Sequence, residues 1–493
     1  MSAPRTGAGP SLLQRARALL VRTMTFYRDD PRTSSWLRGR LERLDQPLRI
    51  AVAGRVQSGK STLINALVGY ELAPTDTGER TKVNTFYQYG PEPKITVHTP
   101  HGTAQNVPVT AVDANTVRDL QNWSPDEVAR LDIEVPAPGL QAISFIETPG
   151  VSSSEVRDTG RSALAQILSE ADGVLYLTRY PHQADLQFLQ SVHELQIARY
   201  TPINTIVALS RADEMGSGSA EALASAERVA QRYREDAKMR SFTQHVRPVS
   251  GLVAQASATL AQDEYQALWA LARLPQQDQE ALLLSADRFA GSAQPETVPP
   301  EHRQQLLDRL GHFGVERSLA LIQQGCDSPQ KLCSALLEES RMNQLQEAVH
   351  RQFVERQDAL RARSVLLAVD MVLRANPRNG VQQLRGEFER FLANAHEWEE
   401  MRLLSALHSE QVRFPPQLRA EAQRLLGAFG TEPHRRLGQD PQAADAVLAN
   451  EAGEALARWR NEAVSPLHDR QHRDAIRVVL RSCERLIARQ LHG

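Results

Sequence analysis

Two hydrophobic rhythms divide the chain. Between about residues 48 and 255, short apolar runs bounded by Gly, Pro and polar clusters alternate with segments of helical spacing. The runs at Ile50–Ala53, Val83–Tyr89, 94–99, 131–135, 142–147, 173–179 and 203–210 predict strands, with another short strand after Pro100-His101-Gly102 and a last one at 245–251. The segment 173–179 holds a continuous apolar run, as a strand buried in a parallel sheet should, and 203–210 reads as another buried strand. Helical text fills 62–68, 114–130, the stretch up to Glu170, 183–198 and 219–240, so this part predicts a doubly wound α/β unit with a mostly parallel sheet.

Beyond residue 252 strand text almost vanishes. Leu and Ala recur at three- and four-residue spacing over 302–324, 331–373, 381–411, 416–428, 441–463 and 466–491, which predicts an elongated α-helical bundle. The 331–373 segment holds no Pro or Gly and, as one helix, would run about 60 Å at 1.5 Å per residue. Residues 11–47 predict two helices broken at Asp29-Asp30-Pro31. The expected division is 1–47 as N-terminal helices on the neck, 48–255 as the α/β domain, 256–300 as a helical connector and 301–493 as neck and trunk.

Bulk composition narrows the partners. The 493 residues are 41% hydrophobic and 24% charged with a net charge of −2, which suits a globular protein and argues against a nucleic-acid footprint. Cys326, Cys333 and Cys483 form no zinc or disulfide spacing. No run of 18 apolar residues is present, and the first ten residues do not read as a secretory leader. Residues 11–28 carry Arg15, Arg17, Arg22 and Arg28 without an acid. Their leucine stripe reads more simply as a packing face than as a membrane-surface helix.

The chemistry begins at Gly54-Arg55-Val56-Gln57-Ser58-Gly59-Lys60-Ser61, between a strand and a helix that starts near Thr62. This is a P-loop in its required setting. Gly54 and Gly59 let the backbone wrap a phosphate, and the N–H groups from Val56 to Thr62 face the anion. Lys60 reaches the β- and γ-phosphates, and the Ser61 hydroxyl binds Mg²⁺. Glu147-Thr148-Pro149-Gly150 ends a strand where GTPases carry D-x-x-G. The Glu147 carboxylate would hold Mg²⁺ through water, and the Gly150 N–H would meet the γ-phosphate. Ser210-Arg211-Ala212-Asp213 follows a buried strand where N/T-K-x-D is expected. Asp213 would accept from guanine N1–H and its 2-amino group, which adenine cannot offer, while Arg211 lies along the base. A helix cap at Ser210 or Asp213 is the plainer alternative. The loop after the first helix should supply a threonine to metal and γ-phosphate, and Thr75, Thr77, Thr81 and Thr85 all qualify chemically.

With these motifs in this order the chain resembles the dynamin superfamily, large GTPases with a helical stalk. The stretches PLRIAVAGRVQSGKSTLINALVG, APTD, SRADE, PVSGL and HFGVERSLALI bring it nearest to the actinobacterial isoniazid-inducible dynamin-like proteins. The resemblance implies hydrolysis of GTP to GDP and phosphate with Mg²⁺. It selects Thr81 by its spacing from Pro74, and it places Val249-Ser250-Gly251 at the final base-contacting loop. Gln57 stands where dynamins carry a water-placing Ser. It could orient water or bind a monovalent cation such as K⁺, with Arg55 as an internal arginine finger in reserve. The resemblance also implies a peripheral protein at the inner face of the cell membrane, acting on lipid through a trunk tip. Its partner would be a second copy across the nucleotide face or a related dynamin-like GTPase. Two stretches could form the tip: Arg374–Arg378, and Leu425–Phe429 followed by Arg435-Arg436. The rival expectation is a GTP-binding regulatory protein with weak turnover.

Overall fold

The computed structural model describes residues 11–75, 83–121, 123, 127–150, 170–194, 204–218, 221–294, 296–466 and 468–491. Strands β1 (Leu48–Gly54), β2 (Asn84–Tyr89), β3 (Lys94–His98), β4 (Ala104–Val107), β5 (Arg130–Val135), β6 (Ile143–Glu147), β7 (Gly173–Thr178), β8 (Thr205–Leu209) and β9 (His245–Pro248) form one sheet in the order β4-β3-β5-β2-β6-β1-β7-β8-β9. The run from β6 through β1, β7 and β8 to β9 is parallel. β2 is antiparallel to β6, and β3 and β4 complete an antiparallel edge. β1, β7 and β8 are buried along their whole length, in keeping with their largely apolar text, Arg49 of β1 included.

This order positions the site. Because β1, β6, β8 and β9 run the same way, the loops that follow them all emerge at one edge, around the point where the chain crosses over β1. Backbone bonds tie those loops together: Thr148 N–H donates to the Val52 carbonyl (3.2 Å), Ser210 N–H to Thr178 (3.0 Å) and Val249 N–H to Leu209 (2.9 Å).

The helices used below are α1 (Leu12–Phe26), α2 (Pro31–Arg43), α3 (Lys60–Val68), α4 (Gly251–Thr259), α5 (Pro300–Gln323), α6 (Pro329–Glu339), α7 (Met342–Val349), α8 (Gln357–Ala375), α9 (Val381–Asn394) and α10 (His396–His408). The rod expected over 331–373 does not form. Arg341 adopts φ 64°, His350–Val354 form a π turn, and the helix resumes at Gln357. Packing, not local sequence, causes these breaks. Leu306, Leu310, Phe313, Leu332 and Leu336 of α5 and α6 share one core with Val174, Tyr176 and Val207 of the sheet. Met342, Leu345, Val349 and Phe353 share another with Ile50 and Val52. Phe353 lies so close to Gly173 that a β-carbon there would meet its ring at 2.8 Å.

α1 buries Leu12, Ala16, Leu19 and Leu20 in a core formed with α2, α8 and α9, so its leucine stripe is a packing face. Its arginines are answered in place: Arg15 and Arg22 pair with Glu397 (3.9 Å) and Glu387 (3.2 Å), and Arg17 pairs with Asp45. The bundle is fastened to the sheet at Asp172. That carboxylate accepts from the Arg43 guanidinium (2.8 Å), the Arg49 N–H (2.9 Å) and the Ser364 hydroxyl (2.9 Å).

The structure also corrects the second tip. Leu425 and Leu426 are buried in the C-terminal core, Arg436 is buried against Glu400 (2.5 Å), and Arg435 pairs with Glu355 (3.2 Å). Of that apolar stretch only Phe429 is largely exposed, and Arg435 is exposed but already paired, so the two leucines and Arg436 are not available to a lipid surface. The turn at 376–380 is joined to the α1–α2 turn. Tyr27 donates to the Asn376 carbonyl (2.7 Å), and Arg378 pairs with Asp29 (2.6 Å) above the Tyr27 ring.

A pH dependence arises where the C-terminal helices meet β9. Burial, with Arg247 and Arg356 nearby, holds His245 down to about 3. Burial, with Arg240 and Arg419, holds His408 down to about 4. Among the described residues His408 Nε2 is buried without a hydrogen-bond partner, as suits a neutral ring. Both titrate near 6.5 when unfolded, so the unfolded chain takes up their protons first as the medium acidifies. Their contribution to stability is complete above pH 6.5 and is lost as pH falls toward 3. Melting temperature is expected to decline through this window, and the His245→Gln, His408→Gln double variant to decline less steeply between pH 6.5 and 4. Parallel profiles for the two proteins would contradict the assignment.

Candidate nucleotide site

The loop leaving β1 is shaped by glycines. Gly54, at φ 153°, has no room for a side chain: a β-carbon would lie 2.3 Å from the Leu177 carbonyl oxygen and 2.8 Å from Ser58 Oγ. Gly59 caps α3 in the left-handed region at φ 82°, with no side chain bonded to the first-turn N–H groups. Those donors therefore stay available at a helix N-terminus, where the dipole favours an anion. Between them Gln57 also takes φ 61°, and Arg55 and Gln57 are exposed while Ser58 and Lys60 are buried.

Gly150 meets this loop from the end of β6. A β-carbon on it would sit 2.5 Å from Val56 Cγ2 and 2.9 Å from Val56 N, so only glycine allows the two segments to touch. Ser61 Oγ donates to Glu147 Oε1 at 2.5 Å. Glu147 is fully buried, and its other oxygen accepts from the Tyr87 hydroxyl at 3.1 Å. Burial raises the Glu147 carboxyl, countered by the Ser61 bond and Lys60. Burial lowers the Lys60 ammonium, countered by Glu147. Lys60 Nζ donates to the Arg55 carbonyl at 3.2 Å. A buried cation and a buried anion thus flank the loop.

The base-side motif lies along the same edge. Asp213 is 6% exposed; burial raises its carboxyl, countered by a hydrogen bond from Ser250. Arg211 stands at φ 52° and donates to Glu214 at 2.9 Å, and Arg179 also reaches Glu214 at 3.0 Å. Ser250 caps α4 by accepting from the Val253 N–H. Gly251 approaches α3: its would-be β-carbon is 3.5 Å from Thr62 Cγ2.

The residues present fit a nucleotide with its metal. Among the described residues, Ser58 Oγ and Ser210 Oγ are buried polar atoms with no hydrogen-bond partner, one in each motif. Gly54 and Gly150 let the loop close on β7 and on the end of β6, while among the described residues nothing stands within 4 Å of a β-carbon built on Gly59, beside the first N–H groups of α3. Ser61 and Glu147 bring a hydroxyl and a carboxylate oxygen together, the hard donors Mg²⁺ takes while keeping most of its waters.

Of the threonines that qualify for the metal-sensing loop, Thr75 is exposed where the chain leaves α3. Thr85 lies inside β2, fully buried, accepting from Gln121 at 2.9 Å. Thr77 and Thr81 lie outside the described residues. Sequence reasoning missed Tyr87 and Ser340. Tyr87 reaches Glu147 only because β2 runs antiparallel to β6, and the Ser340 carbonyl accepts from the Ser250 N–H at 3.0 Å across 90 residues of chain. Only the inward-facing alternation of β2 could have pointed to Tyr87, and no local pattern marks Ser340.

Comparison with known proteins bears on this geometry. The Dynamin family profile matches residues 50–208. The chain is similar to isoniazid-induced protein IniC of Mycobacterium tuberculosis, 35% identical over 494 residues, covering 97% of this chain and 99% of that one. It is also similar to isoniazid-induced protein IniA of the same organism, 29% identical over 179 residues, covering 35% of this chain and 27% of that one. The bacterial dynamin-like protein of Nostoc punctiforme is 32% identical over 121 residues, covering 22% and 18%.

Proposed function

The chain belongs to the dynamin family of GTPases, and from that premise we propose that it binds GTP along the edge where β1, β6, β8 and β9 end, and hydrolyses it with Mg²⁺. The observation carrying this reading is the contact of Gly150 with Val56 beside the Ser61–Glu147 bond, which draws two separate motifs onto one phosphate position. Lys60 and the first N–H groups of α3 would bind the β- and γ-phosphates, and Asp213 would accept from the guanine edge. Ser61, and Glu147 through water, would hold the metal, which would supply charge to offset that developing on the phosphate oxygens. Thr81 keeps the role its spacing implies.

Gln57 and Arg55 are exposed on the loop, and a second copy docking across this face would enclose them. We assign Gln57 the placing of the attacking water, completed by dimerisation and open to K⁺ dependence. In a preparation shown to dimerise, Gln57→Ala is expected to lower turnover about a hundredfold while GDP affinity holds. Unchanged turnover would remove the assignment.

Hydrolysis would act on membranes from the inner face of the cell membrane, through the helical bundle that Asp172 fastens to the sheet. The lipid contact falls to the turn at 374–380, beside exposed Arg374 and half-exposed Met371. Assembly with a related dynamin-like GTPase is the alternative to a homodimer. No described helix is long and apolar enough to cross a membrane.

The second reading is GTP binding with slow turnover beside a paralogous partner. The burial of Glu147, already bonded to Tyr87 and Ser61, favours it. Phosphate release from GTP and from ATP, with and without K⁺ and anionic liposomes, tests both. GTP-selective release stimulated by lipid supports the first reading. GTP binding without release in any condition supports the second. Equal use of ATP defeats both.

A further inference from the structure

Helix α5 follows the α/β unit in sequence, yet its one backbone irregularity sits against the base-side loop. Gly311 leaves helical geometry at φ 68°, ψ 171°, a region open essentially to glycine alone. A β-carbon built there would stand 3.4 Å from Leu252 Cδ2 and 3.9 Å from Asp213 Oδ2. One turn later Gly314 packs on α4, where a β-carbon would meet Val253 Cγ2 at 3.1 Å.

The neighbouring residues hold this segment in place. The Arg309 guanidinium donates to the Thr259 carbonyl (2.9 Å) and hydroxyl (2.8 Å), pairs with Glu264 (2.6 Å) and reaches Glu71 at 3.6 Å. From the far side the Ser340 carbonyl accepts the Ser250 N–H at 3.0 Å, and Ser250 itself bonds Asp213. α5 and the residue that caps α6 therefore hold α4 at its two ends, Thr259 and Ser250, the second of which adjoins the base-side loop.

We propose that Gly311 is a specificity-setting position for the purine base. The α5 backbone at the break forms the outer wall beside Asp213, and it is bare so that the carboxylate keeps its full accepting capacity for a guanine edge. This rests on reading Asp213 as the guanine acceptor. A side chain at 311 lays a methyl in van der Waals contact with one carboxylate oxygen, shielding it from water, and its strained φ displaces the wall. Pairing with the 2-amino group suffers while the grip on phosphate, at α3, does not. A bend serving packing alone would leave base preference untouched.

The test compares GDP, IDP (which lacks the 2-amino group) and ADP by calorimetry for the full chain, Gly311→Ala and Gly314→Ala. The parent's choice of GDP over ADP tests the guanine reading by itself, and no preference there defeats that reading first. Given that preference, Gly311→Ala is expected to weaken GDP about tenfold and to bring the GDP-to-IDP ratio toward one. Gly314→Ala, packed on Val253 and not beside Asp213, is expected to keep the parent's ratio. A folded Gly311→Ala protein with the parent's ratio overturns the inference. If that variant does not fold, hydrogen exchange on the parent decides. Peptides spanning 309–314 should gain protection with GDP and none with pyrophosphate, which has no base. Equal protection by both, or by neither, overturns it.

Discussion

Replacing Lys60 by Ala is expected to lower kcat/KM for GTP by about 10²–10³ or more and to weaken GDP and GTP together. The ammonium is a buried cation that donates to the loop carbonyl of Arg55 and faces the Glu147 carboxylate. Burial already disfavours its charge, which a polyphosphate beside it would restore. Without it, only the metal and the α3 N–H groups would offset the repulsion between phosphate and Glu147 across the same loop. The fold should survive, because Glu147 keeps its bonds to Ser61 and Tyr87 and because a carboxyl already raised by burial can take up a proton. Circular dichroism showing a folded variant, together with lost nucleotide binding, is the expected pair of results. A folded variant that binds GTP as the parent does would remove Lys60 from the site.

The second large effect is a change of base. Guanine offers two adjacent donors, N1–H and the 2-amino group, and a carboxylate accepts both. An amide at the same place accepts one bond and donates the other. Xanthine, with N1–H beside a C2 carbonyl, matches that pattern. Asp213→Asn is therefore expected to reverse preference from guanine to xanthine nucleotides. Sites built around paired hydrogen bonds discriminate by about 10⁴, so the exchange should be plain in a competition assay. Ser250, which bonds Asp213, can serve an amide as well as a carboxylate, so the loop should hold. There is a pH corollary. Burial raises the Asp213 carboxyl, so affinity of the unmodified protein for GDP should begin to fall above the ordinary carboxylate range as the medium acidifies. An Asn variant that still prefers GDP would show that the base is read elsewhere.

The parts of this site that could be read from sequence are those whose chemistry is contiguous. The P-loop lies within eight residues between an apolar run and a helix; Gly54 proves to be a position with no room for a side chain, and Gly59 takes the left-handed conformation that glycine favours. The strands were legible because their apolar runs end at turn residues, and β7 and β8 are buried throughout as their text requires. What could not be read was set by distant partners. Nothing local in 331–373 marks Arg341 or the π turn, because those breaks let Ser340 meet Ser250 and Phe353 meet Gly173. The Leu425-Leu426 stretch reads the same whether it faces lipid or a core, and tertiary packing chose the core. Tyr87 joined Glu147 through an antiparallel register that no spacing reveals. The residues around Asp213 belong to the same class: Ser250 and Gly311 reach it from 37 and 98 positions downstream.

The central claim is that one edge of the sheet holds a triphosphate at α3 and a guanine at Asp213. Its most direct test is calorimetric titration of the unmodified protein with GDP and with ADP in the presence of Mg²⁺. The account predicts GDP bound at least about a hundredfold more tightly. Equal affinity for the two diphosphates would contradict it.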